Sequence, residues 1–276
     1  MRPNKMLLIV PQKLTTDQTE KYLGKHVDKY STVISTDADV YTTDGKLLLK
    51  FRKNVIPESL YENAVNALGS FLLSKSTDRG TAGASEKGLA TGQKYAIKSN
   101  IIGYFDKYTI SQKSNFKRNN TKPTEPCRPC RWNRDHPQEW KRVTPLIQHI
   151  DKLYKSLCPH EHALQLEAAS KTKYCIENTA FSTVTVNHNF RTAGHYDKGD
   201  FEDGFGNLVV YERGNYTGGI IGFPKYDIGV DIRTGDFLAM DVHELHANTA
   251  IVSAEPSERI SFVSYLRKAI AKKCSV

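Results

Sequence analysis

The chain has 276 residues, of which 39% are hydrophobic and 25% are charged, and its formal net charge is +9 with a pI near 9.2. This composition excludes intrinsically disordered, collagen-like and membrane-spanning classes of protein, while the length allows one large domain or two small ones. The longest apolar run near the N-terminus, Met6–Val10, is too short to cross a membrane and does not have the form of a signal peptide.

The five cysteines are an odd number for a chain of this size, which argues against a secreted disulfide framework. A reducing environment fits better, so we expect an intracellular protein of the cytoplasm or nucleus, or of the host cell if the source is viral. We also expect no association with membranes, and a monomer rather than an oligomer.

The positive charge is concentrated in the first half of the chain. Residues 1–150 contain 25 Lys and Arg against 14 Asp and Glu, a net charge of +11, whereas residues 151–276 have a net charge of −2. A basic half beside a nearly neutral half indicates an element that binds a polyanion next to a part with another role. A solvated basic surface without a partner explains the same charge equally well.

The first half of the chain predicts short mixed elements and two longer helices. Residues 16–29 begin with a capping-type pattern typical of a helix, and residues 37–51 indicate strands around an Asp-Gly turn. Residues 57–73 place Pro in the first helical turn and their apolar side chains on one face, and residues 144–157 repeat the helical periodicity. Between these helices, the four glycines of residues 74–92 predict a loop.

From about residue 174 the pattern changes to short runs rich in Val, Ile, Phe and Tyr, separated by turn residues. Such strands are typical of a sandwich, a jelly roll or a barrel rather than of a parallel sheet. We therefore predict an α+β protein with one domain over residues 1–276, in which a basic, helix-rich portion (1–173) packs on a β core (174–268). The predicted strands are residues 174–190, 207–212, 218–223, 228–232, 236–242 and 260–266.

A candidate metal site stands in the predicted β core. His195 and Asp197 are separated by one residue, so on a strand their side chains point to the same side, and His246 follows just beyond another predicted strand. Two histidines and one carboxylate are the ligands of the facial triad, which holds Fe(II) and leaves three positions open for a bidentate co-substrate and O₂. The His-x-Asp pattern also occurs by chance, and His243 is near enough to be the distal ligand instead of His246.

Two further residues favour a co-substrate that carries a carboxylate. Arg259 follows His246 by thirteen residues at the start of a predicted strand, and a buried Arg facing the metal is what the distal carboxylate of 2-oxoglutarate requires. Ser261, on the same face of that strand, would add a hydrogen bond from its hydroxyl. An ordinary surface arginine at a strand start is the alternative interpretation of Arg259.

The stretch 187–208, NHNFRTAGHYDKGDFEDGFGNL, resembles the TET/JBP dioxygenases, most of all their J-binding-protein and bacteriophage branches, and the resemblance extends over about residues 174–268. It implies a double-stranded β-helix that uses Fe(II), 2-oxoglutarate and O₂ to hydroxylate the 5-methyl group of a pyrimidine in DNA, with 5-methylcytosine ahead of thymine. Carried over residue by residue, it implies that the iron ligands and catalytic residues are His195, Asp197 and His246, and that 2-oxoglutarate binds at Arg259 and Ser261.

The target base must be single-stranded or flipped out of the duplex, because a stacked base cannot present its methyl group to the metal. Asp200, three residues after the metal carboxylate, would accept a hydrogen bond from the cytosine amine, or less well from thymine N3–H. Asn187 and Arg191 would line the co-substrate or base pocket. Turn-capping or packing roles are the alternative for all three residues.

The basic segment 107–142 interleaves ten Lys and Arg with aromatic residues. Basic side chains bind phosphates and aromatic rings stack on bases, so beside a base oxidase we expect DNA contacts in this segment. A solvated loop is the alternative. The residues proposed to contact DNA are Lys117, Arg118, Arg128 and Arg131.

A weaker pattern concerns zinc. Cys127 and Cys130, with Cys158, His160 and His162 further along, would form a structural zinc site, although one C-x-x-C pair is more often a pair of reduced thiols. Two other functions also stay open. One is a hydroxylase of the same fold acting on a free nucleoside, RNA or a protein side chain, and the other is a nucleic-acid-binding module without catalysis.

Overall fold

A computed structural model of the protein describes residues 5–76, 79–84, 97–108, 110–123 and 125–273. The helices are α1 (Thr16–Glu20), α2 (Glu58–Leu68), α3 (Ile110–Arg118), α4 (Arg131–Asp135), α5 (Pro137–Leu157), α6 (Pro159–Ser170) and α7 (Lys268–Lys273). The strands are β1 (Met6–Val10), β2 (Thr32–Ile34), β3 (Ala38–Thr42), β4 (Leu47–Arg52), β5 (Lys98–Phe105), β6 (Arg128–Pro129), β7 (Thr183–His188), β8 (Gly206–Arg213), β9 (Thr217–Gly218), β10 (Ile221–Phe223), β11 (Ile228–Val230), β12 (Phe237–Met240), β13 (Ala247–Asn248), β14 (Ile251–Val252) and β15 (Glu258–Tyr265).

Two sheets face each other across the centre of the molecule. The larger sheet has nine strands in the order β1-β3-β4-β12-β8-β15-β7-β5-β6, and its pairs are antiparallel except β1 with β3. The smaller sheet has four strands in the order β13-β10-β11-β2. Two facing, mainly antiparallel sheets are the arrangement of a double-stranded β-helix, and with the helices outside them they confirm the predicted α+β class.

Alternating side chains divide the core into two layers. On β12, Phe237 and Ala239 pack in the layer that includes α2 and α5, whereas Leu238 and Met240 pack in the layer between the sheets. Every second side chain of a strand points to the same face of its sheet. This alternation therefore determines that one face of the large sheet carries the helices, while the other closes over the smaller sheet.

The predicted helices of residues 57–73 and 144–157 are present with different ends. The first is α2 followed by a 3-10 helix (Gly69–Leu73), because Gly69 at φ +48° ends the α-helix. The second is the later part of α5, whose first six residues, PQEWKR, are mostly polar and show no apolar face. The sequence does not predict α6 because its buried residues are His162, Gln165 and Ala169, which make no apolar stripe. Within the described ranges, no helix has the length and hydropathy needed to span a membrane.

The boundary predicted at residue 173 does not separate a helical portion from a β core. Strands β1, β3, β4, β5 and β6 from the first half belong to the large sheet, and β2 belongs to the smaller one. β4 pairs directly with β12 from the far end of the chain, and local sequence patterns carry no information about such a partner. In the predicted loop 74–92, Gly80–Gly83 forms a 3-10 helix, while residues 77–78 and 85–92 lie outside the described residues.

Close backbone packing holds the segment that leads into the predicted metal ligands. The helix predicted over residues 16–29 ends at Glu20, because the chain after α1 turns and forms hydrogen bonds with the segment before His195 instead. Gly24 N–H donates to the Gly194 carbonyl, and Gly194 N–H donates to the Lys25 carbonyl, both at 2.8 Å. A Cβ at position 194 would lie only 2.3 Å from the Tyr22 carbonyl oxygen, so only glycine fits.

Gly194→Ala is therefore expected to lower the free energy of unfolding by about 1–3 kcal/mol, the usual effect of overpacking against atoms that cannot move. Chemical denaturation would show a lower midpoint with an unchanged m value. Gly199→Ala is the matched control, because nothing lies within 4 Å of a Cβ at that position. Equal losses in the two variants would contradict the explanation by close backbone approach.

Candidate active site

A cavity of about 500 Å³ lies between the two sheets. Its walls come from β7, β8, β10, β12 and β15, from the loop that follows β7, and from the residues beside β13. Seven of the predicted site residues line this one cavity, although they are distributed over a long stretch of the chain. They are Asn187, His195, Asp197, Asp200, His246, Arg259 and Ser261.

The three predicted metal ligands meet in the wall of the cavity. His195 and His246 lie opposite each other in an antiparallel bridge, with backbone hydrogen bonds of 3.1 and 3.0 Å and ring centroids 4.3 Å apart. Asp197 Oδ1 is 3.6 Å from His195 Nε2, and its Oδ2 is 3.5 Å from His246 Nε2. One ligand atom from each side chain falls within 4.8 Å of the others, which is close enough to share one ion.

Backbone carbonyls orient both imidazole rings. His195 Nδ1 lies 2.8 Å from the Ala193 carbonyl, and His246 Nδ1 lies 2.9 Å from the Glu244 carbonyl. Because a carbonyl only accepts, each Nδ1 donates to it, which leaves each Nε2, on the side of Asp197, as the atom that can ligate a metal. Two neutral imidazoles and one carboxylate on one side of an open cavity fit the donor set of an Fe(II) facial triad.

Electrostatics favour the metal-binding forms of His195 and Asp197. Burial acts to lower the pKa of His246, but the hydrogen bond and the charge of Asp197 outweigh it and raise that pKa. Burial, followed by the neighbouring charge of His246, lowers the pKa of His195 to about 4. Burial also acts to raise the pKa of Asp197, but the hydrogen bond with His246 and the two histidine charges outweigh it and lower that pKa to about 2. At neutral pH, His195 is therefore neutral and Asp197 is ionised, as coordination requires.

The rival distal ligand, His243, points elsewhere. Its Nδ1 lies 3.2 Å from Asp241 Oδ1, and its backbone N–H donates to the same oxygen at 2.9 Å. The hydrogen bond and charge of Asp241 raise the pKa of His243, which favours its protonated form. Among the described residues, the candidate metal cluster contains His246 and not His243.

Arg259 is a buried cation that faces the cavity. Arg259 is only 6% exposed. Among the described residues, its Nε has no hydrogen-bond partner and its guanidinium forms no ion pair with a carboxylate. Gly219 makes room for it, because a Cβ there would lie 3.0 Å from that Nε. Burial lowers the pKa of this guanidinium. A buried arginine without a counter-ion is unfavourable, so the site fits the carboxylate of a ligand such as 2-oxoglutarate.

Ser261 is held beside Arg259 on the same face of β15. Its Oγ accepts a hydrogen bond from Asn187 Nδ2 at 3.1 Å, and Asn187 Oδ1 accepts one from the Ser99 hydroxyl. The Ser261 hydroxyl proton is thus available to a ligand in the cavity. Asn187 therefore acts through Ser261 in this arrangement, as well as lining the cavity itself.

Three further residues on the same face of β15 line the cavity and were not predicted from the sequence. Arg259, Ser261, Val263, Tyr265 and Arg267 alternate along β15 and just beyond it, and all five line the cavity. Side chains two apart on a strand share a face, so the assignment of the first two members to the site already predicts the other three. Tyr265 and Arg267 place a hydroxyl and a guanidinium at a second end of the cavity, at the other end of β15 from Arg259.

Asp200 lies in this second end of the cavity. Its backbone N–H donates to the Asp197 carbonyl at 3.0 Å, and its backbone forms a bridge with Arg267. The carboxyl group is buried and makes no hydrogen bond with the described residues. Burial and then the negative charge of Asp197 raise the pKa of Asp200 well above its usual range.

Other predicted residues lie away from the cavity. The Arg191 guanidinium donates to the Val27 carbonyl at 3.0 Å and to the Asp28 carboxylate at 2.6 Å, so it ties two loops together and is not part of the cavity wall. The predicted zinc site is also not assembled. Cys127 is disulfide-bonded and Cys130 is a buried free thiol, and in the described ranges neither belongs to a cluster that could hold a metal.

The predicted DNA-contacting residues do not line the cavity. Lys117 and Arg118 are exposed at the end of α3, whereas Arg128 is half-buried in β6 against Phe105. Arg131 forms an ion pair with Asp135 at 3.1 Å. These four cations are therefore not equivalent, because only some of them are free of a carboxylate partner.

A double-stranded β-helix with two histidines, a carboxylate and a buried arginine in one cavity is an Fe(II)- and 2-oxoglutarate-dependent oxygenase. The sequence model of the Tet_JBP family, described as the oxygenase domain of the 2OGFeDO superfamily, matches residues 112–268. The chain belongs to this family. The family and the donor set agree on Fe(II) and 2-oxoglutarate as the groups that the site holds.

Two curated relatives and one solved structure illustrate the similarity. The chain is 33% identical over 214 residues to the bifunctional helicase and thymine dioxygenase JBP2 of Leishmania infantum, covering 77% of the chain and 18% of that protein. It is 32% identical over 213 residues to the thymine dioxygenase JBP1 of Trypanosoma brucei brucei, covering 75% and 24% respectively. The chain thus spans only about a fifth to a quarter of these relatives.

The solved structure is described as NgTET1 in complex with 5mC DNA. The two folds superpose with a TM-score of 0.64 over 98% of this chain and 85% of that chain, at 17% sequence identity. At this identity the likeness establishes the fold, and it agrees with the sheet arrangement described above.

Proposed function

We propose that the chain hydroxylates the 5-methyl group of a pyrimidine base in DNA, with 5-methylcytosine and thymine as the candidate bases. The observation that carries this proposal is a single cavity with two functional ends. The three metal ligands line this cavity, Arg259, which forms no ion pair with the described residues, lies at one end of β15, and Tyr265 and Arg267 lie at the other end with the buried carboxyl of Asp200. A co-substrate and a planar, hydrogen-bonding substrate can therefore approach the same metal position.

The relatives support a substrate in DNA. Two of them are named thymine dioxygenases, and the protein with the similar fold was solved with DNA that contains 5-methylcytosine. Both bases are 5-methylpyrimidines, and they differ at the ring positions that donate or accept hydrogen bonds. A cavity between two sheets cannot receive a base that is stacked in a duplex, so we infer that the target nucleotide is flipped out.

Each residue of the site then has a defined role. His195, Asp197 and His246 would hold Fe(II), while Arg259 and Ser261 would bind the distal carboxylate of 2-oxoglutarate. With 2-oxoglutarate and O₂, the bound iron supplies the oxidising power that converts the methyl group to a hydroxymethyl group. Asp200 would hydrogen-bond the ring edge of the base and so fix which substituent points toward the metal.

Asp200→Ala is expected to lower kcat/KM for methylated DNA by about 10- to 100-fold, the loss that follows removal of a strong buried hydrogen bond. Iron affinity should stay close to that of the unmodified protein, because Asp200 is not a metal ligand. The rates on matched 5-methylcytosine and thymine substrates identify the base that depends more on this carboxyl. Asp203→Ala is the control, since Asp203 is an exposed aspartate only three residues after Asp200. Comparable losses in both variants would contradict base recognition by Asp200.

Release of succinate that depends on DNA tests the proposed function directly. The protein is incubated with Fe(II), 2-oxoglutarate and one of three DNAs. In the first the only methylated pyrimidine is 5-methylcytosine, in the second it is thymine, and in the third the pyrimidines are cytosine and uracil, which carry no methyl group. Succinate release is expected to rise with either methylated base and to stay at the uncoupled level with the third DNA. Equal release with all three DNAs would exclude a methylpyrimidine as the substrate.

A further inference from the structure

Aromatic rings and guanidinium groups form a continuous stack that leads from the cavity wall to the surface. Arg267, which lines the cavity, lies over the Phe105 ring with 4.7 Å between its Cζ and the ring centroid. Arg128 lies over the same ring at 5.8 Å and over the Tyr108 ring at 5.7 Å. Tyr108 meets Phe116 of α3 edge to face, with centroids 5.3 Å apart. We call Phe105, Tyr108, Phe116 and Arg128 the stacking ledge.

Hydrogen bonds hold the ledge in place without help from a ligand. Arg128 Nε donates to the Lys107 carbonyl at 2.9 Å, and the Tyr108 hydroxyl donates to the Glu125 carbonyl at 2.6 Å. Arg267 Nε donates to Asp106 Oδ1 at 2.6 Å. All the members of the ledge are only half-buried, so part of each ring and of the Arg128 guanidinium stays accessible. The planar groups are thus presented at fixed positions beside the cavity.

The charges around the ledge fall into two groups. Lys113, Lys117 and Arg118 of α3 are exposed and form no ion pair with any of the described residues, so their charges are not compensated. Arg131 and Arg134 are also exposed, but both pair with Asp135, at 3.1 and 2.9 Å. Uncompensated cations attract phosphates strongly, whereas a cation shared with a carboxylate contributes much less.

We propose that the DNA strand that carries the flipped nucleotide runs across the stacking ledge and along α3. In this arrangement Lys117 and Arg118 contact phosphates, and the planar groups of the ledge stack on a base next to the target. The ledge touches the cavity wall through Arg267, so the strand reaches it directly after the nucleotide that enters the cavity. Alternating planar rings and cations are the pattern that binds nucleic-acid strands, because the rings stack on bases while the cations contact phosphates. An acidic peptide has no bases to stack on the rings. The inference rests on the proposed function, because it takes DNA as the substrate.

A pair of variants with equal charge changes tests the phosphate contacts. K117Q/R118Q and R131Q/R134Q each remove two positive charges from the same segment. Lys117 and Arg118 have no carboxylate partner among the described residues, whereas Arg131 and Arg134 share Asp135, which offsets one of their two charges. Binding is measured by fluorescence anisotropy with a labelled duplex that contains one 5-methylcytosine, over about 50–200 mM salt and without added iron. K117Q/R118Q is expected to weaken binding at least about tenfold and to reduce the salt slope by about 2, or about 0.9 for each phosphate contact.

R131Q/R134Q is expected to weaken binding only about threefold, because Asp135 already offsets one of these two charges. Equal effects of the two pairs would overturn the proposal, since net charge alone would then explain binding. R128K tests the stacking contact, because lysine keeps the charge and loses the plane. It is expected to weaken binding about tenfold with an unchanged salt slope. Unchanged affinity in R128K would remove the ledge from the proposal.

The binding measurement does not depend on turnover, so the two proposals fail separately. Normal oxidation of DNA by K117Q/R118Q, with unchanged binding, would contradict the proposed path of the strand along α3 and leave the proposed function intact. Conversely, absence of oxidation by the unmodified protein, with the expected binding differences, would contradict the proposed function and leave the DNA-binding surface intact.

Discussion

Asp197→Ala is expected to abolish Fe(II) binding and to lower turnover by at least about 10³-fold, or about 4 kcal/mol in transition-state stabilisation. Asp197 supplies the only negative charge among the three ligands, and its oxygens lie 3.6 and 3.5 Å from the two histidine Nε2 atoms. Without it, two neutral imidazoles remain, and they are too few to hold a divalent ion against exchange. Calorimetric titration with Fe(II) under anaerobic conditions, or with Mn(II) in air, measures the loss directly.

His246 and His243, the two candidates for the distal ligand, provide the matched comparison for the metal site. His246→Ala is expected to behave like Asp197→Ala, since its Nε2 faces Asp197 and its Nδ1 is bound to the Glu244 carbonyl. His243→Ala is expected to retain metal binding, because that ring is bound to Asp241 instead. Loss of metal in His243→Ala, with binding retained in His246→Ala, would show that the cluster is assigned to the wrong histidine.

Arg259→Met is expected to raise the KM for 2-oxoglutarate at least about tenfold, and up to about 100-fold, the range for losing a charge-assisted hydrogen bond in a buried site. Arg259 is 6% exposed and its Nε has no hydrogen-bond partner among the described residues. Nothing in the described structure therefore compensates the charge of its guanidinium as well as a carboxylate would. The nearby Glu212 is already bound to Arg233 and Thr234. Binding of an unreactive 2-oxoglutarate analogue, measured by calorimetry, should weaken in parallel with activity.

The same substitution separates binding from stability. A buried cation without a counter-ion destabilises the ligand-free protein, so replacing it with an apolar side chain of similar length should leave the melting temperature unchanged or raise it. Arg213→Met is the control, because Arg213 is exposed and pairs with Glu258 on the surface. A co-substrate requirement unaffected by Arg259→Met, or raised equally by Arg213→Met, would place the carboxylate site elsewhere.

The proposed metal ligands and the proposed co-substrate arginine are predictable from sequence because the signals are local or ordered along the chain. His195 and Asp197 are two residues apart, as are Arg259 and Ser261, and an alternating pattern places such pairs on one side. The same rule extends along β15 to Tyr265 and Arg267, which line the cavity as well. Tyr265 and Arg267 are therefore predictable from the sequence as well, once the strand is assigned to the site.

Long-range pairing and charge compensation are not predictable in this way. Most strands of the first half join the large sheet, and β4 does so through β12, a partner that no local pattern specifies. Arg191 follows the metal motif closely but binds Val27 and Asp28, from a loop far away in sequence. The basic segment likewise gives no sign that Asp135 compensates Arg131 while Lys117 stays unpaired among the described residues. Only the folded structure shows which charges remain available.

The most direct test of the central claim is the mass of the nucleosides after reaction. The protein is incubated with Fe(II), 2-oxoglutarate and DNA in which either 5-methylcytosine or thymine is the only methylated base, and the DNA is then digested to nucleosides. We expect the methylated nucleoside of at least one DNA to gain one oxygen atom, in an amount that matches the succinate formed, and no product from the Asp197→Ala variant. Unchanged nucleosides in both DNAs, while succinate accumulates, would contradict the assignment of a methylpyrimidine in DNA as the substrate.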